Sequence, residues 1–132
     1  MEITTSAAPG AVPATILHVS GDIDANTEAQ LVESAREAVA QGAHRLIVDL
    51  SAVRYLSSAG VRALHQVYLL LRPGEDEATV LAGLRDGSYT SPHLKLLKPN
   101  ADVLAVLTTT GLDMYLQIHP DLESALASLT GH

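Results

Sequence analysis

One segment, Leu46–Arg72, constrains the fold most, because a buried strand and an amphipathic helix follow each other within it. The segment opens with the apolar run Leu-Ile-Val and continues through Asp49 and Leu50, which is typical of a strand buried on both faces inside a parallel sheet. Further on, apolar side chains recur at spacings of three and four and so line one face of a helix; they are Val61, Leu64, Tyr68 and Leu71. The segment therefore predicts a strand, a turn and a helix.

The turn between these two elements has the sequence Leu-Ser-Ser-Ala-Gly over residues 56–60. The hydroxyl group of either Ser57 or Ser58 can accept a hydrogen bond from the first free N–H groups of the helix, so either serine can be its N-cap. The positive end of the helix dipole lies at the same place and favours added negative charge. A phosphoryl group on Ser57 or Ser58 is therefore electrostatically tolerated.

This strand, turn and helix resemble the signature of the STAS family, which bacterial anti-sigma-factor antagonists share with the tails of sulphate transporters. In the antagonists, a strand ending in Asp/Asn-Leu precedes an Asp-Ser-Ser/Thr-Gly turn, and the serine after the aspartate is phosphorylated. Alignment on the Asp-Leu pair at 49–50 and on Gly60 puts Ser58 at the phosphoacceptor position and Ala59 at the third position. Ser57 stands where the family has the aspartate.

A second motif, Gly-Asp-Ile-Asp at 21–24, resembles the family's Gly-acid-aliphatic-Asp, which a helix-opening threonine follows. Thr27 and Gln30 have the spacing of a capping box, and two acids before a helix suit its dipole. Asp22 and Asp24 either only shape this turn, or Asp24 also borders the serine loop and forms part of a partner surface. For Asp22 the structural interpretation is favoured.

The resemblance implies a binding module that regulates transcription by partner switching. Unphosphorylated, it would bind an anti-sigma factor, often a serine kinase, and free a sigma factor; the kinase would phosphorylate Ser58 and a phosphatase would reverse this. The alternative is a constitutive scaffold in which Ser57 and Ser58 are only helix caps. The residues expected at the partner surface are Asp24, Ser57, Ser58, Ala59, Gly60 and Arg62.

The remaining pattern predicts one α/β domain over residues 1–132, with a mixed STAS-like sheet of about five strands, three of them parallel, and about four helices. Predicted strands are 2–7 and 14–19, forming a hairpin, then 45–50, 93–97 and 115–119. Predicted helices are 28–41, the one ending before Pro73-Gly74, one starting at Pro99 or Asn100 with Val103, Leu104 and Leu107 inward, and one over 122–129. Strand, helix and strand with short links imply a right-handed crossover between strands 14–19 and 45–50.

Residues 74–92 are predicted to be an insertion outside the common core, because turn signals bracket them. They contain a possible extra helix over 75–85, with acids first and Arg85 last. Alternatively, residues 78–84 are themselves the fourth strand; 93–97 is preferred because Pro99 and a helix follow it directly.

Composition excludes several classes of function. A net charge of −7 and 3% aromatic residues argue against a nucleic-acid groove or an anionic membrane surface as partner. Cysteine is absent, and the sequence has neither phosphate-loop glycine motifs nor paired histidines, so no cofactor, metal or thiol catalysis is expected. The first residues lack a signal-peptide pattern and no apolar run approaches a membrane span, which predicts a cytoplasmic protein. Oligomeric state is left open.

An enzyme is not expected either. Ser58 sits at a strand–turn–helix junction, where α/β-hydrolases carry their nucleophile in G-x-S-x-G. Leu56 occupies the place of the first glycine, however, and no glycine-rich oxyanion loop is present. Asp113 and His119 could only nominally complete a triad.

Overall fold

Five strands form one mixed sheet in which the spatial order follows the chain order. The computed structural model describes residues 1–9, 13–73, 77–87 and 89–130. The strands are β1 (Glu2–Ala7), β2 (Thr15–Ile23), β3 (Leu46–Leu56), β4 (Leu94–Leu97) and β5 (Gln117–His119). The helices are α1 (Glu28–Ala40), α2 (Ser58–Leu71), α3 (Glu77–Asp86), α4 (Ala101–Thr109) and α5 (Leu122–Thr130), with a 3₁₀ turn over Leu112–Met114.

The predicted hairpin and mixed sheet are confirmed: β1 pairs antiparallel with β2, and the remaining neighbours pair in parallel. Four strands rather than three are thus mutually parallel, because α4 carries the chain back so that β5 runs in the same direction as β4. The predicted strands 14–19 and 45–50 were too short, because β2 and β3 continue to Ile23 and Leu56. Both strands run on together until Ile23 pairs with Leu56, so Asp22 lies in β2 and not in a turn.

The two faces of the sheet carry separate hydrophobic clusters because neighbouring strand residues point to opposite sides. Leu17 and Val48 belong to the main core, which packs against α1, α2 and α4. Their neighbours Ile16 and Ile47 belong to a smaller cluster under α5. Helix α5 covers only one end of this second face of the sheet. Farther along β2 and β3, the same face carries polar side chains, among them His18 and Asp49.

Two details of the predicted helices were wrong. Thr27 precedes α1 but its side chain makes no cap; Thr27 Oγ1 instead donates to the Asp22 carbonyl oxygen at 2.8 Å and accepts from Asp24 N at 2.9 Å. Leu104 does not point inward, since 38% of it is exposed, whereas Val103 and Leu107 are buried.

The last strand is also shorter than predicted, because the 3₁₀ turn uses residues 112–114 and β5 begins at 117.

The segment after α2 contains the predicted extra helix, α3, and the alternative strand over 78–84 was wrong. Its expected start at residues 75 and 76 lies outside the described residues. The segment is not separate from the core: Val80 is 2% exposed, Ser91 is buried, and Tyr89 packs against the main cluster. No helix in the described part of the chain is long and apolar enough to cross a membrane.

Candidate functional site

The serine turn is built where β2 and β3 end side by side. Ile23 and Leu56 are paired at these ends, and Ser57 continues the contact, since its N–H donates to the Ile23 carbonyl oxygen at 3.0 Å. The Ser57 hydroxyl also donates to that oxygen, at 3.3 Å, and accepts from Gly60 N at 3.2 Å. Ser57 is therefore the N-cap of α2 and fixes the turn to β2.

Gly60 permits this close approach between α2 and β2. A Cβ atom on Gly60 would lie 2.6 Å from the Ile23 carbonyl oxygen and 2.5 Å from Leu56 Cδ1, both closer than van der Waals contact allows. Ala59 is likewise buried. These two small residues let the first turn of the helix sit directly on the strand ends.

Ser58 differs from Ser57 in being exposed, as the first residue of α2. No described residue makes a hydrogen bond to the Ser58 hydroxyl group. The two serines, which the sequence could not distinguish as caps, thus have different environments: one hydroxyl is used in the fold and the other is free for chemistry.

Asp24 lies beside this turn because it follows Ile23 directly, as Ser57 follows Leu56. Its carboxylate accepts from Asn26 N at 2.9 Å, and its backbone N–H donates to Thr27 Oγ1 at 2.9 Å. Asp24 therefore shapes the loop into α1. Asp22 faces Arg54 instead, with 3.6 Å between the charged groups.

Arg62 lies one helical turn after Ser58 and joins α2 to α1. Its guanidinium is 3.8 Å from the Glu28 carboxylate, and 66% of its side chain is exposed. The structure thus brings Asp24, Ser57, Ser58 and Arg62 to one edge of the sheet, with the small pair 59–60 beneath them.

The strand register places His119, the histidine that could nominally complete a triad with Ser58, far from this edge. His119 pairs with Leu97, and Leu97 pairs with Asp49. Leu56 lies seven residues beyond Asp49 on β3, roughly 23 Å at 3.3 Å per residue. Ser58 is therefore far from His119.

Sequence reasoning missed a hydrogen-bonded chain on the open face of the sheet. His18 Nε2 is 2.8 Å from Ser6 Oγ, and His18 Nδ1 is 3.0 Å from Asp49 Oδ2. Burial acts to raise the pKa of Asp49, but hydrogen bonds from Ser51 and His18 together hold it below its ordinary value. The expected strand position of His18 is confirmed; only the pairing of three strands could reveal its partners.

A buried lysine was also missed. Lys95 on β4 is 0% exposed, and its Nζ donates to the Ser91 carbonyl oxygen at 3.0 Å and to Gln117 Oε1 at 2.9 Å. Burial lowers the pKa of Lys95 to about 8. Burial and the Lys95 charge also lower the pKa of His119. The single polar residue in the apolar run Leu-Lys-Leu-Leu was the available signal.

Aromatic residues cluster on the far side of α2. Tyr68 is buried, as expected, and donates to Tyr89 OH at 3.1 Å. His65 Nδ1 lies 2.6 Å from Tyr115 OH, and burial raises the pKa of Tyr115 to about 12. Among the residues that the structure describes, no group of histidines and acids could hold a metal ion.

Comparison with known proteins agrees with this geometry. A family model described as the STAS domain matches residues 3–86, more than half of the chain. Anti-sigma-F factor antagonist RsfB, from two strains of Mycobacterium tuberculosis, is 43% identical over 49 residues. That match spans 37% of this chain and only 40% of the relative.

Solved structures agree over nearly the whole chain. An anti-sigma factor antagonist from Mycobacterium paratuberculosis has a TM-score of 0.71 and 24% identity, over 98% of this chain and 95% of that chain. SpoIIAA in its unphosphorylated form has a TM-score of 0.59 and 14% identity, over 98% and 100%. The Bacillus cell fate determinant SpoIIAA in its phosphorylated form has a TM-score of 0.56 and 16% identity, over 92% and 96%. At these identities the structures establish a shared fold, and together with the family match they lead to one conclusion: this chain belongs to the STAS domain family.

Proposed function

We propose that this chain is an anti-sigma factor antagonist, a binding module without enzymatic activity that acts on transcription by sequestering an anti-sigma factor. The observation that carries the proposal is the free, exposed hydroxyl of Ser58 on the serine turn of a STAS fold. The names of the relatives support the same function.

The proposed switch is phosphorylation of Ser58 by an anti-sigma factor that is also a serine kinase. The Ser58 oxygen attacks the γ-phosphorus of ATP, the bond to the bridging oxygen breaks, ADP leaves, and the hydroxyl proton passes to a base of the kinase. A phosphatase later hydrolyses the phosphate ester with water, which restores the Ser58 hydroxyl and releases inorganic phosphate. The phosphate adds about −1.5 to −2 charges at neutral pH. Burying such a charge in an interface costs on the order of 4 kcal/mol, which is about 10³-fold in affinity, and one exposed ion pair of less than about 1 kcal/mol would not offset it. Phosphorylation would therefore release the partner, and both events would take place in the cytoplasm.

The predicted partner surface divides by exposure into contacting and supporting residues. Ser58 and Arg62 are exposed and would touch the partner. Ala59 and Gly60 are buried and would support the turn from below. Ser57 and Asp24 are half-buried and would hold the turn while adding polar atoms to its rim.

The experiment is incubation with the cognate kinase and ATP, followed by mass spectrometry and by calorimetric titration with the anti-sigma factor. Ser58→Ala should bind the partner and resist the kinase, whereas Ser58→Asp should bind poorly. Ser57→Ala is the matched control and should still accept phosphate on Ser58. Phosphate on Ser57 or on Thr108–Thr110 would make the residue assignment wrong. No phosphate with any kinase of the source organism would favour the constitutive scaffold.

The chain from Ser6 through His18 to Asp49 offers a direct test of the non-enzymatic part of the proposal. Its atoms connect in the order of a serine-hydrolase triad. The N–H groups of a strand lie in the plane of the sheet, whereas the Ser6 side chain stands out of that plane, so strand amides cannot converge on an oxyanion there. We expect no labelling of Ser6 by a fluorophosphonate probe; labelling that disappears in His18→Gln would contradict this.

A further inference from the structure

We infer that the Arg62 guanidinium forms an ion pair with the phosphate on Ser58 and gives up its contact with Glu28 to do so. This inference rests on the proposed phosphorylation of Ser58. The ion pair between Arg62 and Glu28 would thus exist only in the unphosphorylated protein. Phosphorylation would exchange a contact between two helices for a contact within α2.

The first step of the argument is spacing. Ser58 begins α2 and Arg62 follows four residues later, so the two side chains are neighbours on one helical face, with about 5–6 Å between their Cβ atoms. Both residues are exposed. A long arginine side chain can reach a phosphate on Ser58 without any change in the backbone.

The second step is competition for Arg62. Its present partner is held weakly: the two charged groups are 3.8 Å apart, beyond hydrogen-bonding distance, and 66% of the Arg62 side chain is exposed. Exposed pairs of this kind contribute little. A phosphate carries more charge than a carboxylate and can accept two parallel N–H bonds from a guanidinium group. The phosphate is therefore the better partner.

The third step is the choice among nearby cations. Arg54, two residues before the end of β3, is a second exposed arginine, and it lies 3.6 Å from Asp22. Arg54 belongs to β3 and does not share the helical face of Ser58. Arg62 is therefore the inferred partner of the phosphate, and a substitution of Arg54 is the matched control.

The experiment uses the chain of residues 1–132 with phosphoserine placed at position 58 during translation, so that no kinase is needed. The phosphorus-31 chemical shift, followed against pH, gives the second pKa of the phosphate, which is about 6 without a partner. Arg62→Gln should raise this pKa by about 0.3 units or more, since an ion pair of about 0.4 kcal/mol corresponds to that change. Arg54→Gln should change it by clearly less.

Equal phosphate pKa values in the unsubstituted phosphoprotein and in Arg62→Gln would overturn the inference, as would a larger change in Arg54→Gln. The proposed function fails separately. If the phosphoprotein binds the anti-sigma factor as tightly as the unmodified chain, the proposed phosphorylation switch is wrong. The phosphorus titration still decides whether Arg62 forms an ion pair with the phosphate.

Discussion

Replacing Lys95 by methionine tests how much a buried charge costs this fold. Lys95 is fully buried, and its ammonium group donates to neutral acceptors, the Ser91 carbonyl oxygen and the Gln117 side chain. No described carboxylate lies within ion-pair distance of Lys95. Methionine keeps most of the volume and removes the charge.

The magnitude follows from the pKa of Lys95, which burial lowers from 10.5 to about 8. At about 1.36 kcal/mol per pKa unit, that difference corresponds to about 3 kcal/mol. Below pH 8 the lysine is protonated in both the folded and the unfolded chain, so the folded state carries the whole cost. Between pH 8 and 10.5 the folded state loses the proton first, so the cost falls as pH rises and is absent above 10.5.

The assay is urea denaturation of the unsubstituted protein and of Lys95→Met at a series of pH values. The free energy of unfolding of Lys95→Met, minus that of the unsubstituted protein, should fall by about 3 kcal/mol between pH 7.5 and 10.5. Taking the difference cancels the titration of groups whose pKa is the same in both proteins. His119, whose pKa burial and the Lys95 charge lower from 6.5, is neutral throughout the range above pH 7.5 and does not contribute. Lys98→Met, at the exposed second lysine of the chain, is the control and should show a much smaller slope. A difference that does not vary with pH would refute the reasoning, because the charge would then be solvated in the folded state.

Three further substitutions test the serine turn and the segment after α2, each by chemical denaturation. Gly60→Ala should cost about 1–3 kcal/mol or more, since its new methyl group overlaps a backbone carbonyl oxygen that cannot move away; a cost near zero would show that the turn can relax. Ser57→Ala should cost about 1 kcal/mol for the lost cap, whereas Ser58→Ala should change stability by much less, and equal costs would contradict the assignment of the cap. Val80→Ala should cost about 2 kcal/mol because its side chain is buried; no measurable cost would mean that α3 contributes nothing to the core.

The sequence by itself determined the elements whose signal is local. The apolar run before Asp49 and the three- and four-residue spacing after Val61 correctly predicted β3 and α2, because burial of one face imposes its period on the residues that form it. The order of strands and helices predicted the parallel pairing of β2 and β3, since a short helical connection allows little else. The turn motif also identified the family.

Tertiary structure alone decided which of the two serines is free. The distinction depends on the carbonyl oxygen of Ile23, which lies 34 residues from Ser57 along the chain. The same holds for the contact of His18 with Asp49, which exists because β2 and β3 are in register. The sequence shows Lys95 only as a polar residue within an apolar strand, and its burial depends on the other segments that enclose it. Local patterns report how a segment folds, whereas the free energy of a polar group depends on the partners and the burial that other segments provide, and these exist only once the chain has folded.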